Sequence, residues 1–263
     1  MIEATILALL SGAFVGFSLG LIGGGGSILA TPLMLYVVGL GPHEAIGTSA
    51  LAVSANAFAN LASHARRSNV RWRPAALYAV TGVIGAVIGS TLGKNFDGRK
   101  LLFLFAILMI AVGLLMLRPR RQDQSGGVPR HDLFDLATIG KVVLAALATG
   151  MLAGFFGVGG GFLIVPGLML SAGMPMILAI GSSLLAVGSF GLTTAVNYAV
   201  SGLVAWLVAA EYIAGGVVGG WLGTHLAHRL ATRRAALNRV FSGIVFVVAI
   251  YMLYRNALAF GFR

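Results

Sequence analysis

The sequence contains no cysteine, and it has few charged residues. The lack of cysteine excludes disulfide bonds, thiolate metal sites and cysteine nucleophiles. Charged residues make up 10% of the 263 positions, hydrophobic residues make up 58%, and the mean hydropathy is +0.95. So little polar surface cannot cover a soluble globule, and the chain is predicted to be an integral membrane protein.

Patterns for catalysis and cofactor binding are also missing. The stretch GSTLGKN at 89–95 has the wrong spacing for a phosphate-binding loop. The glycine runs lack the following strand and acidic residue of a dinucleotide site, and the histidines and carboxylates show no metal-ligand spacing. We therefore predict no enzyme activity, no cofactor and no metal ion.

Eight apolar stretches approach the length of a membrane span, which is about 20 residues. They cover approximately 4–22, 44–64, 74–93, 100–117, 137–156, 177–199, 205–227 and 240–257, and two shorter pieces cover 27–41 and 160–172. The first stretch lacks a basic start and a cleavage site, so it is interpreted as a membrane span and not as a signal peptide. The predicted class is all-α integral membrane.

A shift of 134 residues aligns the chain with itself. Gly16 to Arg99 then match Gly150 to Arg233 without a gap, with about 27 of roughly 84 positions identical. Matched tryptophan, tyrosine and proline residues are not an effect of composition. The chain is thus predicted to be duplicated, with repeat 1 at 1–118, a cytoplasmic linker at 119–135 and repeat 2 at 136–263.

The basic residues predict that the two repeats have inverted topology. The loop RRSNVRWR at 66–73 is strongly basic, whereas its equivalent VSGLVAWL at 200–207 has no charge. Basic residues near spans mark the cytoplasmic side, so equivalent loops of opposite character belong on opposite sides. Each repeat would contain about four to five helices, and both termini would lie outside. The net charge of +11 is interpreted as an orientation signal and a contact for anionic lipid, not for nucleic acid.

Glycine-rich segments interrupt the apolar pattern at equivalent places in the two repeats. Gly23 to Gly26 and Gly157 to Gly161 are each followed by a proline, Pro32 and Pro166. Within the membrane, non-helical backbone is stable only where it is buried in protein or lines a water-filled cavity. Interruptions at equivalent places of two repeats are typical of transporter substrate sites. We predict broken or re-entrant half-helices at the repeat interface whose free N–H groups cradle a small anion. Close helix packing through glycine is the alternative reading.

These segments carry a resemblance to a known family. GLIGGGGSILATP and GFFGVGGGFLIVP, followed by IGTSALAV and IGSSLLAV, resemble the TauE/SafE sulfite exporter family of membrane permeases. The resemblance covers essentially the whole chain. It implies transport of sulfite, sulfoacetate or another small sulfur-containing anion. Val158 stands where the first glycine run has Gly24, so the two cradles are expected to be unequal.

The predicted substrate-binding residues are the glycines of both runs and nearby polar residues. Hydroxyl groups can donate to the oxygens of an anion, although bonding to the preceding helical turn is their alternative role, and amides inside spans often bond neighbouring helices. The candidates are Gly23, Gly24, Gly25, Gly26, Ser27, Thr48, Ser49, Asn56, Gly157, Gly159, Gly160, Gly161, Ser182, Ser183 and Asn197. Glu211 is the candidate for proton coupling, because it lies inside a span where its repeat equivalent is Leu77.

Together these features predict a secondary transporter in the bacterial cytoplasmic membrane that exports a small sulfur-containing or organic anion by alternating access. Proton coupling is an option. The alternatives are an anion channel with a continuous pore, or an accessory membrane subunit without transport of its own. The partners implied are the anion and membrane lipid.

Overall fold

The computed structural model describes residues 2–22, 24–117, 136–229 and 234–257, and all regular structure in these ranges is helical. The helices are α1 Ile2–Ile22, α2 Ala30–Tyr36, α3 Pro42–Arg66, α4 Trp72–Lys94, α5 Gly98–Leu117, α6 Leu136–Phe156, α7 Gly161–Ala172, α8 Met176–Ala199, α9 Trp206–Arg229 and α10 Arg234–Asn256, with a 3-10 helix, Gly24–Leu29, directly before α2. The all-α prediction is confirmed. The helices follow the predicted spans closely, except that α10 begins earlier. Gly23 and the predicted linker at 119–135 lie outside the described residues.

The long helices have the length and composition of membrane spans. Six of them, α1, α3, α4, α6, α8 and α9, contain stretches long and apolar enough to cross a membrane, and α5 and α10 have 20 and 23 residues. The 3-10 helix and α2 have 6 and 7 residues, and α7 has 12. These short pieces extend about 20 Å, against roughly 30 Å of hydrocarbon. They therefore have the dimensions of half-helices.

The duplication is visible in the helices themselves. α1 and α6, α3 and α8, and α4 and α9 begin at equivalent positions of the two repeats. α1 packs on α9, and α6 packs on α4, so the first helix of each repeat lies against a helix of the other. α3 packs against its own equivalent, α8. The two copies therefore interlock.

Glycine allows the backbones of the interlocking helices to touch. Gly16 of α1 lies so close to Gly216 of α9 that a methyl group on Gly16 would overlap the Gly216 carbonyl. Gly12 and Gly20 make the same kind of contact one turn before and one turn after. Because the contacts advance together along both helices, α1 and α9 run parallel. Equivalent contacts join α6 to α4, in the manner of small-residue packing in membranes.

α3 and α8 run antiparallel. Gly47, near the start of α3, lies against Tyr198, near the end of α8. In the middle of both helices, the Ser54 hydroxyl donates a 2.7 Å hydrogen bond to the carbonyl of Gly188, which is the repeat equivalent of Ser54. A contact between equivalent residues is the signature of a pseudo-two-fold relation. The two repeats therefore meet along these two helices.

The glycine contact gives a test with a matched control. Gly16→Ala adds a methyl group against the Gly216 backbone, whereas Gly140→Ala in α6 adds the same group where no atom lies within 4 Å. We expect Gly16→Ala to lower the free energy of unfolding by about 1–3 kcal/mol through overpacking. Gly140→Ala should be neutral or stabilising by up to about 1 kcal/mol, because alanine favours the helix. Thermal unfolding in detergent, followed by circular dichroism, measures both, and equal unfolding temperatures would contradict the contact.

Candidate functional site

The glycine-rich break of repeat 2 is a buried turn between α6 and α7. Gly157, Gly159 and Gly160 have φ angles of +67°, +64° and +67°. This left-handed region is open to glycine and strained for other residues, so the glycines allow the chain to reverse in so little space. Gly160 is the N-cap of α7, and the whole stretch 157–161 is buried.

The turn lies where α3 of repeat 1 crosses α8 of repeat 2. Gly157 lies against the Ile46 side chain of α3. Gly159 lies between Val53 of α3 and Val187 of α8, which are equivalent residues of the two repeats. The break therefore sits on the pseudo-two-fold contact between α3 and α8.

The turn offers hydrogen-bond donors at this position. Neither Gly159 nor Gly160 donates a backbone hydrogen bond to any described residue. The first N–H groups of an α-helix also lack partners within the helix, and α7 directs the positive end of its dipole toward the turn. Neutral donors of this kind, shielded from water, suit a small anion.

The glycine-rich segment of repeat 1 has a different conformation. Gly24–Leu29 is a 3-10 helix, and Gly26 packs against Ser18 and Leu19 at the end of α1. Ser27 is fully buried. The 3-10 helix packs against α7 and α8. The structure thus brings the two glycine-rich segments together, but their backbones are unequal.

Thr48 and Ser182 cap helices of the opposite repeat. The Thr48 hydroxyl oxygen accepts a 3.0 Å hydrogen bond from the N–H of Ala205, just before α9. The Ser182 hydroxyl oxygen accepts a 2.9 Å hydrogen bond from the N–H of Arg71, the N-cap of α4. Because the first N–H groups of a helix have no internal partner, both hydroxyls have a structural role that the sequence analysis missed.

Ser49 and Ser183 bond to the preceding helical turn. Their hydroxyls donate to the carbonyls of Ile46 at 3.1 Å and Ile180 at 2.8 Å. The Ser49 hydroxyl is also 2.9 Å from that of Thr31, which ties α2 to α3. These contacts match the alternative role that the sequence allowed for the hydroxyls.

Asn197 belongs to a polar cluster at the end of α8. Its side-chain oxygen accepts a 2.9 Å hydrogen bond from the ammonium of Lys94, a residue that the sequence analysis did not single out. Its amide nitrogen donates to the hydroxyls of Ser90 at 2.7 Å and Thr91 at 3.0 Å. Asn197 lies about 15 Å along α8 from Val187, so it is not brought to the glycine turn.

Three further polar residues lie on the α3–α9 and α1–α9 contacts. Asn56 is fully buried one turn after Val53, and its amide has no hydrogen-bond partner among the described residues. Tyr212 of α9, which the sequence analysis noted only as a matched repeat residue, is also fully buried, and its hydroxyl has no partner within the described part of the chain. Glu211 accepts a 2.8 Å hydrogen bond from the Thr5 hydroxyl of α1, which places it on the α1–α9 contact.

Residues 8–252 match the family model described as Sulfite exporter TauE/SafE. The chain belongs to the TauE/SafE family. It is 55% identical over 258 residues to a "Probable membrane transporter protein" of Xylella fastidiosa (strain Temecula1), covering 97% of each chain. It is 26% identical over 221 residues to the "Probable membrane transporter protein YunE" of Bacillus subtilis, covering 76% of this chain and 80% of that one. No solved structure matches it. The family and these relatives are named as transporters and not as enzymes, so this chain is a membrane transporter.

Two neighbouring serines test the capping role. Ser182→Ala removes the acceptor of the Arg71 N–H, whereas Ser183→Ala removes only a bond within α8. We expect Ser182→Ala to lower the free energy of unfolding by about 1–2 kcal/mol, the usual effect of losing a cap. Ser183→Ala should change it by less than about 0.5 kcal/mol. Thermal unfolding in detergent measures both, and a larger loss for Ser183→Ala would overturn the assignment.

Proposed function

We propose that this transporter exports a small sulfur-containing or organic anion, such as sulfite or a sulfonate, by alternating access. The observation that supports this most is the glycine turn of repeat 2 at the crossing of α3 and α8, with the glycine-rich 3-10 helix of repeat 1 packed against α7 and α8. Neutral backbone donors hold an anion without a full positive charge, which favours release as well as binding. The family description, sulfite exporter, supports both the substrate class and the direction.

The two repeats have inverted topology in this proposal, in a bacterial cytoplasmic membrane with both termini outside. The antiparallel packing of the equivalent helices α3 and α8 supports the inversion, because equivalent helices of parallel repeats would point the same way. The basic loop at 66–73 and its uncharged equivalent support the orientation. Substrate sites of inverted-repeat transporters lie at the repeat interface near the bilayer midplane.

The conformation described is the occluded one in this proposal. Residues 157–161 are buried, so an anion in the turn has no path to either side. The pairs α1 with α9 and α6 with α4 are held by backbone contact and move as rigid units. Rocking of these units about the α3–α8 contact opens the turn to one side at a time. A channel would instead need a continuous pore, and an accessory subunit would transport nothing alone.

The first test is uptake of radiolabelled sulfite by proteoliposomes that contain only this protein. We expect saturable uptake that sulfoacetate or thiosulfate competes away, and counterflow exchange when unlabelled sulfite is loaded inside. Empty liposomes are the control. Conduction without saturation or counterflow would favour a channel, whereas no uptake by folded protein would favour the accessory subunit or another substrate.

Proton coupling through Glu211 is tested by comparing two carboxylates. Glu211→Gln removes the titratable group but keeps an acceptor for the Thr5 hydroxyl, which now donates to Glu211 at 2.8 Å. Glu44→Gln makes the same change in the first turn of α3. We expect Glu211→Gln to transport sulfite without response to a pH gradient, and Glu44→Gln to keep the wild-type response. A normal gradient response in Glu211→Gln would exclude Glu211 as the coupling group.

A further inference from the structure

Two equivalent residues of the repeats, Asn56 of α3 and Phe190 of α8, differ completely in chemistry. Each faces a glycine of the other repeat. The Asn56 amide lies against Gly216 of α9, and the Phe190 ring lies against Gly82 of α4. Gly216 and Gly82 are themselves equivalent, so the two positions can be compared group by group.

The Phe190 position is filled, and its polar neighbours are bonded. Phe190 is fully buried and stacks on Tyr78, with ring centroids 6.4 Å apart. The Tyr78 hydroxyl is 2.8 Å from the Thr149 hydroxyl and 3.3 Å from the carbonyl oxygen of Ala145. Among the described residues, the polar side chains beside Phe190, those of Tyr78 and Thr149, are therefore hydrogen-bonded.

The Asn56 position keeps polar atoms without partners. Asn56 and Tyr212 are fully buried, yet both polar atoms of the amide and the Tyr212 hydroxyl have no hydrogen-bond partner among the described residues. Tyr212 is the equivalent of Tyr78, but the equivalent of Thr149 is Val15, which has no hydroxyl. The hydroxyl that bonds Tyr78 is therefore absent at the equivalent position beside Tyr212.

Tyr212 and the Asn56 amide lie on the same face of α9, Tyr212 as a residue of that helix and Asn56 from the neighbouring α3. Tyr212 lies one helical turn before Gly216, and residues four apart share a helix face. The Asn56 amide contacts Gly216 on that face. A turn of helix spans about 5.4 Å, so the backbone positions of Tyr212 and Gly216 are about that far apart along α9.

The next polar pair along the helices shows that the difference is local. The Asn60 amide donates a 2.9 Å hydrogen bond to the Asn56 carbonyl, and the equivalent Thr194 hydroxyl donates one of 2.9 Å to the Phe190 carbonyl. Both repeats therefore keep the same bond to the preceding turn. The difference lies in Asn56, which stands where the other repeat has Phe190, and in Val15, which stands where the other repeat has Thr149.

A buried polar group without a partner destabilises the folded state, and native proteins seldom keep one without a ligand, water or other reason. The amide supplies two N–H donors and the phenol supplies one O–H donor. We propose that Asn56 and Tyr212 form a subsite for the oxygens of a small oxyanion, present on one side of the pseudo-two-fold only. This inference rests on the proposed anion transport, and it names the side chains that hold the anion.

The subsite adjoins the glycine turn. Val53 contacts Gly159 and lies one turn before Asn56 on α3. An anion can therefore move between the backbone donors of the turn and the side-chain donors of Asn56 and Tyr212. Because α3 belongs to repeat 1 and α9 to repeat 2, separation of these two helices releases it.

Two substitutions remove the subsite, and an equivalent one serves as the control. Tyr212→Phe and Asn56→Leu each remove unpartnered polar atoms, whereas Tyr78→Phe removes a bonded hydroxyl at the equivalent position. We expect the first two to raise the KM for sulfite uptake in proteoliposomes about 10- to 100-fold, the effect of losing a hydrogen bond to a charged ligand. Their unfolding temperatures without ligand should be unchanged or higher. Tyr78→Phe should unfold at a lower temperature with a KM within about two-fold of wild type.

The stabilisation of detergent-solubilised protein by sulfite gives a second readout that does not need transport. Sulfite should raise the unfolding temperature of wild type and Tyr78→Phe, but not of Tyr212→Phe or Asn56→Leu. Wild-type KM and wild-type stabilisation in both subsite variants would overturn the subsite alone. A fall in their ligand-free unfolding temperature as large as that of Tyr78→Phe would also overturn it, because the groups would then have structural partners. If wild type itself neither transports nor is stabilised by sulfite, sulfoacetate or thiosulfate, the proposed function fails and the subsite for these anions fails with it.

Discussion

Backbone contact through glycine, between helices of different repeats, is the constraint on which the rest of the structure depends. Gly16 against Gly216 holds α1 on α9, and Gly150 against Gly82 holds α6 on α4. Lipid is as apolar as leucine, so helices in a membrane associate through close packing and hydrogen bonds and not through hydrophobic burial. Each first helix is therefore fixed by the other repeat, and the chain passes from it directly into a glycine-rich break. The contacts that hold the repeats together also set where the breaks lie.

The same constraint explains the short motifs after the breaks. α4 and α9 begin beside helices of the opposite repeat, which supply acceptors for the N–H groups at their starts. Gly47 lets the backbone of Leu203 approach α3, and the hydroxyl of the next residue, Thr48, accepts the N–H of Ala205. Gly181 and Ser182 repeat the arrangement with Asn69 and Arg71. A glycine followed by a hydroxyl residue thus caps a helix of the opposite repeat, and its duplication follows from the fold before any role in binding is considered.

The sequence predicted the long helices well, because apolar length alone determines where a chain can cross a bilayer, and the matched Trp72 and Trp206 exposed the repeat. It could not predict which helices touch, since the glycines of α1 and α9 indicate close packing without naming a partner. For that reason the sequence leaves Asn197 as either a substrate contact or a bond between helices, and the structure adds its hydrogen bond with Lys94 at the end of α8. The proposed role of Tyr212 is not visible in the sequence, where it is only the match of Tyr78. The structure is needed to show that the Tyr212 hydroxyl has no partner among the described residues, since Val15 stands where the other repeat has Thr149.

Duplication and divergence have separate effects in this protein. The features that the repeats share, the glycine contacts and the caps, hold helices of different repeats together, and a change in either copy removes a contact with the other. Asn56 and Phe190 are equivalent positions at which the repeats differ. The first buries the polar atoms of an amide, and the second buries an aromatic ring. Two identical repeats would offer an anion two equal binding positions. In the proposed subsite only one of the two positions is polar, so the anion has a single place to bind. The fold therefore depends on what the repeats have in common, and the proposed recognition of the anion depends on where they have diverged.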